Sequence, residues 1–369
     1  KKITALAEIT QASDGHSIYF SKTEGLSVPI EYAVLKECPE LEKTEFFVQP
    51  NGSLFKLTKG EFDFIMDLIR EENPVKPATA SITRYTKRDF LSTVFMTEER
   101  FDVLAALLRN KKNIILQGAP VVGKTFAARK LAYAIMEETD DSRIEFVQFH
   151  QNYSYEDFVM GYRPDGAEFK LTEGIFYRFC QKAANHPDKK YFFIIDEINR
   201  GNMSKIFGEL MMLIEKDYRG TKATLAYSGV PFAVPDNLYI IGMMNTADRS
   251  LAMIDYALRR RFSFFEMEPG FDSEGFQSYQ SAFSSEIFDA LIDQIRALNR
   301  EISKDPSLGR GFRIGHSYFC GRESTDGMTD WLRSVVEFDI LPTLAEYWFD
   351  EPATLQRWEK NLRGVFDDE

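Results

Sequence analysis

The fold is decided by residues 113–136, which read NIILQGAPVVGKTFAARKLAYAIM. An apolar run typical of a buried strand leads into a glycine-containing loop, and the loop opens a helix. Residues 118–125 match the pattern G-x-x-x-x-G-K-[ST] in the strand–loop–helix setting that this pattern requires. Backbone N–H groups and a helix N-terminus in this arrangement surround a polyphosphate. The alternative is an ordinary turn around a surface lysine, which the presence of both flanking elements disfavours.

Individual side chains of this loop carry specific expectations. Lys124 supplies positive charge for the β- and γ-phosphates, and the Thr125 hydroxyl is placed to bind Mg²⁺. Val121 stands where many such loops have glycine, and valine tolerates a positive φ poorly. The general pattern leaves that position free, so we expect binding to survive with altered loop geometry or turnover. The predicted nucleotide-binding residues are Gly118, Ala119, Pro120, Val121, Val122, Gly123, Lys124, Thr125 and Phe126.

Around this loop, short apolar runs alternate with helical stretches. The runs are nearly continuous, which is typical of parallel strands buried on both faces. They are NIILQ (113–117), IEFVQF (144–149), YFFIID (191–196) and NLYIIGMM (237–244). Alternation of this kind predicts a fold of the α/β class, with a three-layer α/β core of the P-loop NTPase type.

The pattern changes along the chain and divides it into four segments. We predict a small N-terminal α+β module (1–72), a linker (73–90), the α/β core (91–270) and a helical lid (271–369). The linker is assigned from two prolines among small polar residues. In the lid, the sequence predicts helices near 286–302, 330–347 and 353–363.

The N-terminal segment mixes short alternating runs with one strong helical pattern. The helix, GEFDFIMDLIREE, places Phe62, Ile65, Leu68 and Ile69 on one face. The runs EFFVQ and SLFKL flank Asn51-Gly52, a pair typical of a hairpin turn.

Composition limits the classes of function. The chain of 369 residues has 57 acidic and 45 basic residues, a net charge of -12, which argues against a uniformly basic nucleic-acid-binding surface. Any DNA contact is then a local patch or belongs to another segment. Cys38, Cys180 and Cys320 lack the spacing of a disulfide frame or a zinc site and indicate a reducing compartment. No apolar run predicts a membrane span, so we expect a cytoplasmic protein. Because the sequence begins with Lys-Lys, we also expect a fragment of a longer chain.

Two strand ends carry further polar residues. YFFIIDEINRGN (191–202) ends its apolar run with Asp196, which can hold Mg²⁺, and Glu197, which can accept a proton from an attacking water. MMNTADRS (243–250) ends another strand with Asn245, which can orient that water. Taken alone, two acids after a strand occur often by chance, and Asn245 could simply cap an Asx-type turn. Together with the phosphate loop, they indicate hydrolysis of a nucleoside triphosphate.

These motifs in this order resemble the AAA+ ATPase superfamily and, more narrowly, the McrB subunits of modification-dependent restriction systems. The resemblance runs from about residue 95 to the C-terminus. It is carried by QFHQNYSYEDFVMGYRP (148–164), IIDEINRGNMSKIFGELMMLIE (194–215), MNTADRSLAMIDYALRRRFSF (244–264) and GFRIGHSYFC (311–320).

The resemblance implies a GTPase that assembles into a ring of six. It also implies Asp196 for Mg²⁺, Glu197 for water activation, Asn245 as a sensor and Arg313 as a second sensor that contacts phosphate from the lid. Asp248 has been compared with guanine-reading motifs in this family. However, a residue one turn beyond a phosphate sensor should lie near the phosphates and not near the base. We therefore expect Asp248 to form an ion pair, for example with Arg249.

Three consecutive arginines, Arg259 to Arg261, stand in the block ALRRRF (257–262). In ring-forming AAA+ proteins this edge faces the nucleotide of the next subunit, so we expect Arg260 or Arg261 to stabilise the neighbour's γ-phosphate, worth ~10³-fold or more in rate. The other arginines would pair with interface acids such as Asp255. The alternative is a solvated basic helix end favoured by the helix dipole.

Two further features are a predicted hairpin and two isolated histidines. RPDGAEFKLTEGIF (163–176) predicts a hairpin with Asp165-Gly166 as its turn, which is either a channel or partner contact or a plain surface hairpin. His150 and His316 lack the spacing of a metal pair, so we expect them to make structural hydrogen bonds.

These expectations favour one function over two others. The first is a hexameric motor that uses GTP (or ATP) and Mg²⁺ to drive DNA translocation for a separate McrC-like endonuclease, since no nuclease constellation is evident. The second is a MoxR-like AAA+ chaperone, and the third is a nucleotide-gated scaffold with negligible turnover, which Val121 alone suggests. Residues 1–72 are a candidate DNA-reading module, although their composition does not show it.

Overall fold

The computed structural model describes several stretches of the chain, namely residues 2–11, 19–48, 55–73, 82–165, 168–247, 256–322 and 324–367. The chain forms two compact units, residues 1–80 and residues 81–369.

The described residues of the first unit form two strands, three α-helices and a short 3-10 helix (Pro39–Leu41). The strands and α-helices are β1 (Lys2–Gln11), β2 (Tyr19–Glu31), α1 (Tyr32–Glu37), α2 (Glu45–Val48) and α3 (Lys59–Glu72). The strands pair antiparallel. Helix α3 begins with a capping box, in which Thr58 and Glu61 satisfy each other's backbone N–H groups.

Two details of this unit differ from the sequence prediction. The sequence predicts an extended EFFVQ, whereas Glu45–Val48 form the helix α2. A run of five residues carries too little periodicity to separate strand from helix. In α3, Ile65 and Ile69 are buried as expected, whereas Phe62, which lines the same apolar cavity, is 52 % exposed. The turn predicted at Asn51-Gly52 lies outside the described residues.

The second unit alternates strands and helices before it becomes helical. Its elements are α4 (Lys87–Thr93), α5 (Glu98–Lys111), β3 (Asn113–Gly118), α6 (Lys124–Met136), β4 (Ile144–Gln148), α7 (Tyr155–Phe158), β5 (Met160–Asp165), β6 (Glu168–Glu173), α8 (Ile175–Ala184), β7 (Tyr191–Asp196), α9 (Met203–Phe207), α10 (Leu210–Leu213), β8 (Ala223–Thr224), β9 (Pro231–Phe232), β10 (Leu238–Asn245), α11 (Tyr256–Arg261), β11 (Ser263–Met267), α12 (Glu274–Ser281), α13 (Glu286–Lys304), α14 (Met328–Val335), α15 (Leu341–Tyr347) and α16 (Pro352–Gly364).

A five-stranded parallel sheet in the order β11-β3-β10-β7-β4 forms the centre of this unit. Apolar side chains fill both of its faces, with Phe193 and Ile195 in one cluster and Phe192 and Ile194 in the other. This confirms the three-layer α/β core. Because the strands are parallel, the residues that follow β3, β7 and β10 meet at one edge.

The predicted linker ends earlier than the sequence indicated. Tyr85 and Phe90 are buried in the core of the second unit. The backbone of Tyr85 bonds to Glu137, and Thr86 and Asp89 form the capping box of α4. Residues 82–90 are therefore anchored to the second unit by hydrogen bonds and burial, which the two prolines upstream did not reveal.

The C-terminal helices pack as a lid with their own apolar core, which extends from Phe271 to Phe366. The predicted helices are confirmed as α13, α14 continuing through a π-helical turn into α15, and α16. Within the described part of the chain, none of the helices has the length and apolarity needed to cross a membrane. Cys38, Cys180 and Cys320 are all free thiols.

Candidate nucleotide-binding site

The phosphate loop connects the buried strand β3 to helix α6. Glycine is required at Gly118, because a Cβ there would lie 2.4 Å from the carbonyl oxygen of Met267 on β11. Gly123 ends the loop with φ +73°. Val121 also adopts a positive φ, 58°, a conformation that is strained for a β-branched residue. Val121 thus adopts a backbone conformation that favours glycine, and the expected effect on loop geometry or turnover remains a prediction.

Lys124 is held inside the site by three acceptors. Its Nζ donates to the carbonyl oxygens of Gly118 (3.1 Å) and Ala119 (2.7 Å) and to Oδ1 of Asn245 (2.7 Å). The residue is only 9 % exposed. A buried ammonium needs such partners, and here they come from the loop and from the end of β10.

The acidic pair lies at the end of β7. Asp196 Oδ1 accepts from the backbone N–H of Glu197 at 3.0 Å. Glu197 has φ +50°, in the left-handed region. Its Oε1 accepts from Nδ2 of Asn245 at 3.0 Å, and its Oε2 accepts from Nε of Arg200 at 3.1 Å. Asn245 therefore connects the lysine of the phosphate loop to the glutamate.

The oxygen ligands present fit a magnesium ion. Thr125 lies in the first turn of α6 with an exposed side chain, and Asp196 contributes a partly exposed carboxylate. A hydroxyl, a carboxylate, water and phosphate oxygens are the ligands that Mg²⁺ takes in such sites. Among the described residues there is no group of three or more His, Cys, Asp or Glu side chains placed to hold a metal.

Two arginines of the run form salt bridges with an acidic residue of the same chain. Arg260 and Arg261 both pair with Oε1 of Glu215, at 2.8 and 3.0 Å. Arg261 also donates from Nε to the carbonyl oxygen of Met211 at 2.6 Å. The side chain of Arg261 is 14 % exposed, whereas that of Arg260 is 69 % exposed. The sequence did not identify Glu215, because a contact over 45 residues leaves no local pattern. Asp255, Asp248 and Arg249 lie outside the described residues.

Arg313, the expected second sensor, is close to the phosphate loop but points to acids. It pairs with Glu266 (3.1 Å) and Glu268 (3.6 Å). Glu266 belongs to β11, whose Met267 is paired with Gly118. The structure therefore brings Arg313 to the correct edge of the sheet, and its contact with phosphate remains a prediction.

The lid touches the phosphate loop directly. The backbone N–H of Ser317 donates to the carbonyl oxygen of Val121 at 3.1 Å, and a Cβ at Gly315 would lie 2.0 Å from that oxygen. Thr246 Oγ1 donates to the carbonyl oxygen of Gly311 at 3.2 Å. This contact was not predicted from the sequence, although the two glycines of GFRIGH are typical of a close approach between backbones.

A cleft of about 680 Å³ opens between the phosphate loop and the lid. Its lining includes Phe95, Phe126 and Tyr279 as well as Gly123 and His316. Volume and aromatic lining are typical of small-molecule sites.

The predicted hairpin and the two histidines lie outside the phosphate loop. Strands β5 and β6 form the predicted antiparallel hairpin, with Tyr162 and Phe169 exposed; Gly166 of the turn lies outside the described residues. His316 makes a structural hydrogen bond, since its Nδ1 accepts from the backbone N–H of Gly270 at 2.9 Å. His150 packs edge-on against the ring of Tyr153.

Comparison with known proteins defines the class first. Residues 113–262 match the family model described as AAA domain (dynein-related subfamily). Residues 290–356 match the model described as McrB, alpha-helical lid domain. The chain therefore contains an AAA domain followed by a McrB-type helical lid domain.

Individual relatives agree. The chain is 51 % identical over 300 residues to the type IV methyl-directed restriction enzyme EcoKMcrB subunit of Escherichia coli (strain K12), covering 79 % of this chain and 65 % of that protein. It is 26 % identical over 214 residues to the type II restriction enzyme BsuMI component YdiS of Bacillus subtilis (strain 168), covering 47 % of this chain and 61 % of that protein. The chain thus spans less than two thirds of the length of either relative.

Proposed function

We propose that this chain hydrolyses a nucleoside triphosphate, GTP in preference to ATP, with Mg²⁺ as cofactor. The observation that carries the proposal is the continuous set of hydrogen bonds from Lys124 through Asn245 to Glu197, at one edge of the sheet. The charge that binds phosphate and the carboxylate that activates water are thereby held at a fixed separation.

Each residue then has a defined task. Backbone N–H groups of the loop and Nζ of Lys124 bind the phosphates, while Thr125 and Asp196 hold Mg²⁺, which when bound neutralises charge on the phosphate oxygens. Glu197 accepts a proton from the attacking water. Its Oε2 must first leave Arg200, and Asn245 keeps the other oxygen oriented during that exchange.

A second copy of the chain completes the site in this proposal. Arg260 is largely exposed and shares Glu215 with Arg261. It can therefore turn away from Glu215 without leaving that carboxylate unpaired. We assign Arg260 the role of reaching the γ-phosphate bound by a neighbour, and Arg261 the role of supporting it. A site shared in this way favours a closed homo-oligomer, a ring of six by the family resemblance.

The relatives support a role in restriction. One is named as a subunit of a methyl-directed restriction enzyme and the other as a component of a restriction enzyme. We infer that the ring acts on DNA together with a separate McrC-like endonuclease subunit, and that Arg313 moves from Glu266 to phosphate as the lid closes.

The test is turnover of GTP and ATP as a function of protein concentration. Turnover per subunit is expected to rise with concentration as copies assemble, and the E197Q variant is expected to bind nucleotide with turnover lowered about 10²–10⁴-fold. Full-speed hydrolysis by an isolated protomer at every concentration contradicts the shared site.

Light scattering supplies the second measurement. GTP and a slowly hydrolysed analogue are expected to promote assembly of the wild-type chain but not of K124A. Stimulation by an McrC-like endonuclease, and not by client proteins, separates a restriction motor from a MoxR-like chaperone. Assembly without turnover under all conditions would leave only the scaffold.

A further inference from the structure

His316 is a buried residue with a fixed ring orientation. It is 7 % exposed, and its ring lies edge-on to Phe95, Phe271 and Phe276, at centroid distances of 5.4, 6.3 and 6.3 Å. Nδ1 accepts a hydrogen bond from the backbone N–H of Gly270. Packing and this hydrogen bond together hold the imidazole in one orientation.

The hydrogen bond at Nδ1 also fixes the tautomer. A neutral imidazole has one donor and one acceptor nitrogen, so an accepting Nδ1 leaves the proton on Nε2. Burial lowers the pKa of His316 to about 4, which keeps the ring neutral at physiological pH. In the part of the chain that the structure describes, no side chain or backbone group accepts a hydrogen bond from Nε2.

Nε2 lies beside the end of the phosphate loop. A Cβ built on Gly123 would be 3.8 Å from Nε2 of His316 and 3.4 Å from Oγ of Ser317. All three residues line the 680 Å³ cleft, and no Asp or Glu lines it. The cleft therefore presents a fixed N–H donor and an adaptable hydroxyl within a largely apolar, aromatic-lined space.

We propose that His316 is a specificity-determining residue, whose Nε2–H donates to O6 of a 6-oxo purine. This inference rests on the proposed function, in which the phosphates occupy the loop next to Gly123. Guanine presents O6 as an acceptor at this position, whereas adenine carries an amino donor there. A fixed donor facing an amino group leaves both unpaired, which disfavours ATP.

The wild-type protein tests this without any mutation. Binding of GTP, inosine triphosphate and ATP is measured by calorimetry, because inosine shares the 6-oxo group but lacks the 2-amino group of guanine. GTP and inosine triphosphate are expected to bind about 10–100-fold more tightly than ATP, which corresponds to the cost of leaving one buried donor unpaired. Equal affinity for inosine triphosphate and ATP would overturn the assignment.

Two variants of His316 separate its nitrogens. H316N retains an acceptor near Nδ1 for Gly270 but removes the Nε2 donor, and H316Q retains an N–H near Nε2 but removes that acceptor. H316N is expected to bring the two affinities together, because the affinity for inosine triphosphate falls to about that for ATP while the affinity for ATP stays unchanged. H316Q is expected to preserve the preference, at a lower thermal unfolding midpoint.

The outcomes distinguish this inference from the proposed function. If H316N weakens the three nucleotides equally, or none of them, the specificity role is wrong although nucleotide binding stands. If the wild-type chain binds none of the three, and K124A is indistinguishable from it, the proposed function fails and this inference fails with it.

Discussion

The phosphate loop side of the site and the arginine run differ in how their charges are satisfied. Lys124 and Glu197 are joined through Asn245, with partners from three neighbouring strand ends. Arg260 and Arg261 share one carboxylate, and one of the two guanidiniums is mostly exposed. The first group is complete within one chain. In the second, among the described residues, two guanidiniums share the carboxylate of Glu215, and the exposed Arg260 is the one that we propose acts on another copy of the chain.

The largest expected effect separates the two arginines. R260A should lower turnover about 10³-fold while nucleotide affinity and thermal unfolding stay near wild type, because the side chain is 69 % exposed. R261A should lower turnover and also the unfolding midpoint, because it loses the bond to the carbonyl of Met211. Hydrolysis assays and thermal unfolding measure both.

Mixing experiments sharpen this prediction. R260A protomers retain a complete phosphate loop, and E197Q protomers retain Arg260, so a mixture should regain turnover that neither variant has alone. A mixture that stays inactive, with assembly verified by light scattering, means that Arg260 acts within its own chain or not at all.

The next effect concerns the residue that joins the two charges. N245A should lower single-turnover hydrolysis about 10–100-fold, because Glu197 loses one donor and its orientation. Nucleotide affinity should change less, since Lys124 keeps the carbonyl oxygens of Gly118 and Ala119. N245D is the matched variant: it retains an acceptor for Lys124 but places a second carboxylate against Glu197. Wild-type hydrolysis by N245A would show that this connection is only structural.

A pH effect on stability follows from His316. Its pKa is lowered from 6.5 to about 4 by burial, so the unfolded chain binds a proton that the folded chain does not. Stability should therefore fall as the pH drops from 6.5 towards 4, by about 1 kcal/mol per pH unit from this group. The difference between wild type and H316N in urea unfolding isolates the effect. Parallel curves for the two proteins contradict the buried neutral imidazole.

The smallest effect lies in the loop backbone. V121G should raise the stability of the second unit by about 1 kcal/mol, the release of positive-φ strain less the entropy of glycine. V122G is the control, because Val122 is buried without a positive φ, and its replacement should destabilise. The unfolding midpoints of both variants check this, and a destabilised V121G would show that the φ of Val121 carries no strain.

Sequence predicted what depends on local pattern. The strand–loop–helix of the phosphate loop, the acids that end β7 and Asn245 that ends β10 follow from spacing and from the rule that parallel strands end at one edge. It did not predict Glu215 as the partner of the arginines or the contact of Gly315 with Val121, since both join distant segments. The helix at α2 and the early end of the linker were missed because short or polar stretches carry weak periodicity.

The contact between Gly315 and Val121 has a mechanical consequence. The carbonyl of Val121 accepts a hydrogen bond from Ser317 and lies against Gly315, which has no side chain, so the lid and the phosphate loop are in direct contact at this point. A rearrangement of that peptide on loading or release of a ligand must displace the helices behind it. Gly315 therefore sets how closely the lid can approach the phosphate loop, and any larger residue at this position would hold the two apart.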